Sequence, residues 1–336
     1  MASAGSAPPI VSVILAVRNE EAHLPQVLGD LAHQTLPKDQ FEVIVVDGMS
    51  TDRTVEVARQ FASQFPIFQL RENSRQLASA ARNIGIVSAQ GEYIIFIDGH
   101  CQIESETMLA DMLELFRQTG ADVLCRPQPL TAEPMTPFQR AAGIARASAL
   151  GHGADSTIYS NFEGEVTAAS SGAAYRSQVF KKVGSFDERF DACEDVELNT
   201  RVDLSGLKAH ISPRLTVRYV ARKSVDALWK QLFRYGVGRF RLLAKHPTTA
   251  SPGTFVPPAL AASILLLIFW WLLYTPLAIV LSVLVGLYIL IVIVFSAVLS
   301  IKHGPDLFPK LLVIFPTIHL ALGFGFLAGP FAMLKR

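Results

Sequence analysis

The sequence predicts an α/β layered domain with a largely parallel sheet, followed by a C-terminal membrane region. Two observations predict the domain. Short apolar runs rich in β-branched residues alternate with helical segments from residue 10 to about 126, and two of the runs end on aspartates, Asp47 and Asp98. A third observation predicts the appendage: no Asp, Glu, Lys or Arg occurs from His246 through Ile301, or again from Leu311 to Leu334, although 18% of the chain is charged.

Ile10 to Val17 is almost unbroken in its apolar character, the habit of a strand buried on both faces of a helix-covered parallel sheet. Glu20 to Leu31 reads as a helix capped by Asn19. Phe41 to Val46 is a second strand that stops at Asp47-Gly48, and Ser50-Thr51-Asp52 opens a helix from about Thr54 to Phe65. The unit repeats with a strand at Ile67–Leu70, a helix at Gln76–Ala89 and a strand at Tyr93–Ile97 that ends in Asp98-Gly99-His100. A helix from Glu104 to Thr119 and a strand from Ala121 to Arg126 complete the alternation, which indicates a parallel sheet. Ligands of such sheets bind at the carboxyl ends of the strands, where Asp47 and Asp98 stand.

Pro127 to about Gly164 is poor in β-branched residues and holds a helix, Pro137 to Leu150, followed by Gly151-His152-Gly153-Ala154-Asp155. Either this helix lies beside a membrane or under an acceptor groove, or it packs on the domain surface. Val166 to Ser171, Gly172 to Tyr175 and Phe180 to Phe186 resume the domain. Glu194-Asp195 then heads an amphipathic helix through Asn199 and Arg201, at the end where free backbone N–H groups favour carboxylates. Val225 to about Ala244 carries Lys230, Arg234, Arg239 and Arg241, with Lys245 just beyond, among aromatics and leucines, as an interfacial helix does.

The balance of 30 basic against 29 acidic residues gives no reason to expect a nucleic-acid partner. Cys101, Cys125 and Cys193 match neither a metal-ligand spacing nor a disulfide framework. A crossing helix needs about 20 apolar residues, so the uncharged stretches hold spans at about 257–274, 277–299 and 311–330, the first two broken near Tyr274-Thr275-Pro276. The expected organisation is a flexible N-terminus at 1–9 without signal-peptide features, a cytoplasmic catalytic domain at 10–224, an interfacial helix and linker at 225–250 and a membrane region at 255–336. Three crossings place the loop of Lys302, His303 and Lys310 on the side of that domain, in line with the positive-inside tendency, whereas Lys335-Arg336 falls on the other side and opposes a third full crossing. The chain is thus expected to be a multi-pass protein of the inner or plasma membrane.

Asp98 and His100 alternate around Gly99, which has no side chain to crowd a phosphate. The pair suits magnesium or manganese, unless His100 is a plain turn residue. Asp47 and Asp52 bracket a turn that can aim a carboxylate at a uracil or ribose edge, while the helix N-terminus behind it faces anions. Arg75 and Arg82 are either charge partners of a ligand or structural partners of a carboxylate at the sheet edge. One of Glu194 and Asp195 is placed to act as a general base.

Taken in order, Val13-Ile14-Leu15-Ala16-Val17-Arg18-Asn19-Glu20, Val45-Val46-Asp47-Gly48-Met49-Ser50-Thr51-Asp52, Ala81-Arg82-Asn83-Ile84-Gly85-Ile86, Gly91-Glu92-Tyr93-Ile94-Ile95-Phe96-Ile97-Asp98 and Glu194-Asp195 resemble the family 2 glycosyltransferases. The resemblance covers residues 10 to about 245 and implies the GT-A fold and an inverting hexosyltransferase. It implies donor contacts from Ala16, Arg18, Glu20, Asp47, Asp52, Arg75, Arg82, Asp98 and Gly99, a divalent metal on Asp98 with His100, and Asp195 as the base beside Glu194. Gln231, Arg234 and Tyr235 look like the Gln-x-x-Arg-Trp motif of processive members, with Tyr in place of Trp. That departure and the few spans imply single-sugar transfer. His100 stands where many members have Asp; with Gly151-His152-Gly153 and three spans it looks most like membrane-anchored exopolysaccharide transferases. The implied partners are a UDP-sugar, UDP-glucose foremost, a polyprenyl-diphosphate-linked saccharide and membrane lipids. Two alternatives stand beside this reading: a polyprenyl-phosphate sugar transferase, which needs no strong base, and a nonenzymatic membrane scaffold that binds nucleotide sugar.

Overall fold

The computed structural model describes residues 8–153 and 156–334; the expectations for residues 1–7, for Ala154-Asp155 and for Lys335-Arg336 lie outside the described residues. The chain forms two compact units. One comprises the residues up to Ala132 together with Ser156–Val220; the other comprises those from Glu133 to Gly153 and from Ala221 onward. The continuous domain expected over 10–224 is therefore interrupted, because the segment after Ala132 folds with the C-terminal helices.

In the first unit, β1 (Val11–Val17), α1 (Leu24–Ala32), β2 (Phe41–Asp47), α2 (Thr54–Phe61), β3 (Phe68–Glu72), α3 (Ala78–Ser88), β4 (Tyr93–Asp98), β5 (Cys101–Ile103), α4 (Met108–Thr119) and β6 (Val123–Cys125) follow one another. α5 (Pro137–Ala147) and α6 (Ala149–His152) belong to the second unit. The chain then returns with β7 (Gly164–Val166), β8 (Gly172–Arg176), α7 (Gln178–Val183), α8 (Glu194–Leu204), β9 (Ala209–Ile211) and β10 (Val217–Tyr219). The main sheet has the order β3-β2-β1-β4-β8-β6-β9-β7, and β5 pairs with β10 in a two-stranded ribbon. β3, β2, β1 and β4 are mutually parallel, as are β6 and β9, while β8 and β7 run antiparallel. The sheet is mostly parallel, as the alternation predicts.

The unbroken apolar runs follow from two cores. Val13, Val45 and Ile95 pack with Leu24, Leu28, Met112 and Phe116 of α1 and α4. The intervening Ile14, Ile44 and Ile94 pack with Ala81 of α3 and with Leu198 and Val202 of α8. Successive side chains of a strand point to opposite faces, so both registers must be apolar. Gly85 lets α3 lie directly on β1, because a Cβ there would overlap Ile14 Cγ2.

Several boundaries differ from the sequence reading. The first helix begins at Leu24 rather than Glu20, and Asn19 does not cap it: Asn19 takes a left-handed φ of 54° and its Oδ1 accepts from Thr51 N at 2.8 Å. The fourth helix begins at Met108, and α2 tightens into a 3-10 turn at Ala62–Gln64. The helix expected over Pro137–Leu150 breaks at Ser148, which is extended and accepts from Gly151 N.

In the second unit, α9 (Val225–Lys245), α10 (Pro252–Leu273), α11 (Thr275–His303) and α12 (Phe308–Leu334) join α5 and α6. Ala141, Ala142 and Ala145 of α5 are buried with Leu228 and Leu232 of α9 and with Leu311, Ile314 and Phe315 of α12. Thr136 and Gln139 form a capping box at the start of α5. The alanine-rich helix is thus a packed one, with small side chains because its neighbours lie close. α9 and α12 meet still more closely: a Cβ on Gly236 would strike Leu322 O, and one on Gly325 would strike Phe233 O. Thr275–His303 and Pro305–Leu334 are long and apolar enough to cross a membrane, and α10 is apolar from Pro252 to Leu267. α11 exposes Ile279, Val283, Leu287, Leu290 and Val294 among others, a surface matched by hydrocarbon rather than water.

Candidate active site

The chain runs from β1 outward through β2 and β3, then crosses back to place β4 on the other side of β1. The crevice at such a reversal, outside the carboxyl ends of the strands, is where open α/β sheets hold ligands. Asp47 pairs in register with Val17, and Asp98 with Ala16, so the two aspartates flank the end of β1 on one rim. Two strand spacings separate them, about 10 Å. β6 runs parallel to β4 across the antiparallel β8, which brings Arg126 and Gly172 to the same rim.

Asp98 stands at the centre of a charged network. Its Oδ1 accepts from Arg82 Nη2 at 3.2 Å and its Oδ2 from the Tyr219 hydroxyl at 2.8 Å. Burial pushes its carboxyl up, but Arg82 first, then His100 and Tyr219, pull it down to about 2. Arg82 also holds Glu194 Oε1 at 2.6 Å and lies over the Phe186 ring. Burial raises the Glu194 carboxyl above its usual range even though Arg82 opposes this. Asp195 differs from its neighbour: it is exposed, makes no ion pair among the described residues and lines a cleft with Arg82, Phe96, Asp98 and Tyr219. The two carboxylates at the start of α8 therefore have distinct surroundings, one buried against a guanidinium and one open to solvent.

The loops around this rim are stitched together by the other candidates. Asp47 is buried and accepts from Ser50 N at 3.0 Å and Ser50 Oγ at 2.5 Å. Asp52 accepts from Glu21 N at 3.1 Å and from Thr54 N at 3.0 Å, tying the loop after β1 to the start of α2. Burial acts upward on the Asp52 carboxyl, but the bonds from Thr54 and Glu21 leave it lowered. Glu20 Oε1 meets His100 Nδ1 at 2.9 Å, and Gly99 sits beside it, where a Cβ would meet Glu20 Cγ at 3.0 Å. Arg18 is exposed just past β1, and Ala16 is half-buried within it. Arg75 pairs with Glu188 at the surface. Gln231, Arg234 and Tyr235 lie on α9 in the second unit, where Gln231 Nε2 donates to the Tyr235 hydroxyl at 3.3 Å.

Among the described residues, four other than glycine have left-handed backbone, Asn19, Met49, Gln76 and Cys193, and all four stand in loops at this rim or directly before α8. Such strain concentrates where a fold holds a site in place. Two further residues of this network are not among those the sequence singles out. Tyr219 comes from the short β10, and Arg126 from the end of β6, donating to Phe96 O at 2.9 Å and to the Tyr219 hydroxyl at 3.3 Å. The position of Arg126 at a strand's carboxyl end, equivalent to that of Asp98, is the one clue that pointed to it.

Among the described residues no group of three or more His, Cys, Asp or Glu side chains is arranged to hold a metal ion by itself. The donor set nevertheless fits a hard ion of the magnesium kind, which is bound by one or two carboxylates together with substrate phosphates. Each Asp98 oxygen takes one donor, from Arg82 or Tyr219, and keeps a further lone pair.

The chain is 29% identical over 254 residues to the succinoglycan biosynthesis protein ExoA of Rhizobium meliloti, covering 74% of each. It is 24% identical over 333 residues, 95% of this chain and 96% of the relative, to a dolichyl N-acetyl-alpha-D-glucosaminyl phosphate 3-beta-D-2,3-diacetamido-2,3-dideoxy-beta-D-glucuronosyltransferase of Methanococcus voltae. The mannosyltransferase PcManGT of Pyrobaculum calidifontis, solved with GDP-Man and Mn2+, shares the fold with a TM-score of 0.60 at 19% identity, over 97% of this chain and 88% of that one. TarS 1–349 of S. aureus with UDP-GlcNAc superposes with a TM-score of 0.53 at 18% identity, over 93% and 90%. The sheet is thus of the GT-A kind. The profile of glycosyl transferase family 2 matches residues 12–184, just over half of the chain, and the chain accordingly belongs to that family, as a sugar transferase that draws on a nucleotide-sugar donor.

Proposed function

We propose that this enzyme moves a single sugar, glucose from UDP-glucose foremost, with inversion onto a saccharide carried on a polyprenyl diphosphate. The observation that carries the reading is the division of labour at α8: Glu194 is buried against Arg82, while Asp195 faces the cleft beside Asp98. Inverting transfer needs one base at the acceptor hydroxyl, and an exposed carboxylate without an ion pair is placed to take that proton. Asp47 and Asp98 stand within the span of one nucleoside diphosphate, with the nucleoside toward Asp47, Asp52 and Arg18 and the diphosphate toward Asp98. Asp98 would hold a divalent ion, with His100, which Glu20 engages at Nδ1, as a second ligand. Bound there, the ion would neutralise charge on the departing diphosphate. Arg82 holds Asp98 and Glu194 in position and keeps Asp98 ionised.

The lipid-linked acceptor is supported by the membrane-length helices and by the names of the two relatives above, an exopolysaccharide protein and a dolichyl-linked sugar transferase. The membrane-length helices also support a membrane location; the proposal makes it multi-pass and puts the catalytic unit on the cytoplasmic side, where nucleotide sugars are made. Incubating the full chain with a panel of UDP- and GDP-sugars, polyprenyl-diphosphate-linked and polyprenyl-phosphate acceptors, and magnesium or manganese tests this. One hexose added to the saccharide, seen by product mass, is the expected result. Product only on the bare polyprenyl phosphate would replace the acceptor class.

A further inference from the structure

Arg126 is 2% exposed and stands where β6 ends on the rim that carries Asp47 and Asp98. One of its terminal nitrogens, Nη2, donates to Phe96 O and to the Tyr219 hydroxyl. Its Nε and Nη1 are buried and have no hydrogen-bond partner among the described residues. The residue lines the same cleft as Asp98, Asp195, Gln128 and Gly172. A buried guanidinium with unmade hydrogen bonds is destabilising unless an anion meets it. The fold nonetheless holds it rigidly, between the β4 backbone and a tyrosine whose hydroxyl also touches Asp98.

We propose that Arg126 forms an oxyanion subsite that takes a phosphate group on the side of Asp98 away from Asp47. With both hydrogens of Nη2 engaged, the donors left over are Nε–H and the two hydrogens of Nη1, which lie on different edges of the guanidinium plane and can each take a separate phosphate oxygen beside a fixed positive charge. The strand order gives the position: Asp47 lies beyond β1 on one side of Asp98, and Arg126 lies beyond β8 on the other. A nucleotide seated on Asp47 therefore directs its diphosphate toward Asp98 and Arg126. The phosphate that enters is either the distal phosphate of that donor or the phosphate on which the acceptor is carried. The inference rests on the reading of this cleft as the donor site.

Calorimetry on the full chain in detergent with magnesium separates the two sources. The probes are UDP, which carries no lipid, and farnesyl diphosphate, which carries no nucleoside. In R126M the subsite is expected to weaken at least one of these affinities by about ten-fold or more. Loss for UDP assigns the donor phosphate, and loss for farnesyl diphosphate assigns the acceptor carrier. R126K keeps the charge without the guanidinium's spread of N–H donors and should show a smaller loss of the same affinity; it carries the comparison if R126M does not fold. Both affinities within about two-fold of wild type in folded R126M or R126K would overturn the subsite while leaving the donor site standing. Wild-type protein that binds neither probe would remove the reading of the cleft and the subsite together.

Discussion

Removing Arg82 is the perturbation whose size the structure fixes best. Its guanidinium is 13% exposed and pairs with Glu194, whose side chain is 11% exposed, and with Asp98 at 29%. R82M leaves Glu194 as a buried carboxylate without a partner, and breaking such a pair costs about 3–5 kcal/mol. The more open contact to Asp98 adds about 1 kcal/mol or less. For a unit of this size each kcal/mol lowers the unfolding midpoint by about 2–4 °C, so R82M should melt about 6–24 °C below wild type at pH 8. The pH dependence has a definite sign. Burial raises the Glu194 carboxyl above its unfolded value, so the folded state binds the proton more tightly and stability rises as the pH falls. Without Arg82 this effect grows, and the R82M deficit should shrink between pH 8 and pH 5.5. R82M/E194Q, which removes both charges, should recover more than half of the loss. Midpoints at fixed scan rate in detergent provide the assay. An R82M midpoint within about 2 °C of wild type at pH 8, or a deficit that widens on acidification, would refute the reasoning.

Other outcomes follow from the same geometry. Asp98→Asn should lower metal-dependent donor turnover by at least about 100-fold, measured as kcat/KM over a magnesium titration, because the diphosphate loses its charged anchor; unchanged metal-dependent kinetics would remove Asp98 from the site. Gly236→Ala should lower the unfolding midpoint through about 1–3 kcal/mol of overpacking, because its Cβ would strike the α12 backbone at Leu322. UDP affinity in that variant should stay at the wild-type value, and a variant that melts like wild type would contradict the close packing of α9 on α12.

The sheet was legible because both of its faces are buried: Val13, Ile14, Val45 and Ile44 leave no polar register, and Asp47 and Asp98 mark where burial ends. The start of α8 at Glu194-Asp195 was legible from local chemistry alone. The network between the elements was not. Arg82 and Glu194 are far apart in the chain, and only the packing of α3 and α8 on one face of the sheet brings them together. Tyr219 meets Asp98, and Arg126 meets Tyr219, through strand pairings that no local pattern encodes. Asn19 looked like a helix cap because its side chain suits one, but Thr51 offered a partner across the loop and the helix began a turn later. The sequence of α5 left open a helix beside a membrane, under an acceptor groove or packed on the domain surface, and its neighbours are α9 and α12.

The central claim is that Asp195 takes the proton of the acceptor while Asp98 and its surroundings hold the donor. Its most direct test is Asp195→Asn, with UDP-sugar binding measured by calorimetry and transfer by single-turnover product formation on the same preparation. The account predicts donor affinity within about two-fold of wild type and transfer slowed by about 100-fold or more. Transfer at the wild-type rate, or donor affinity lost in parallel with transfer, would contradict it.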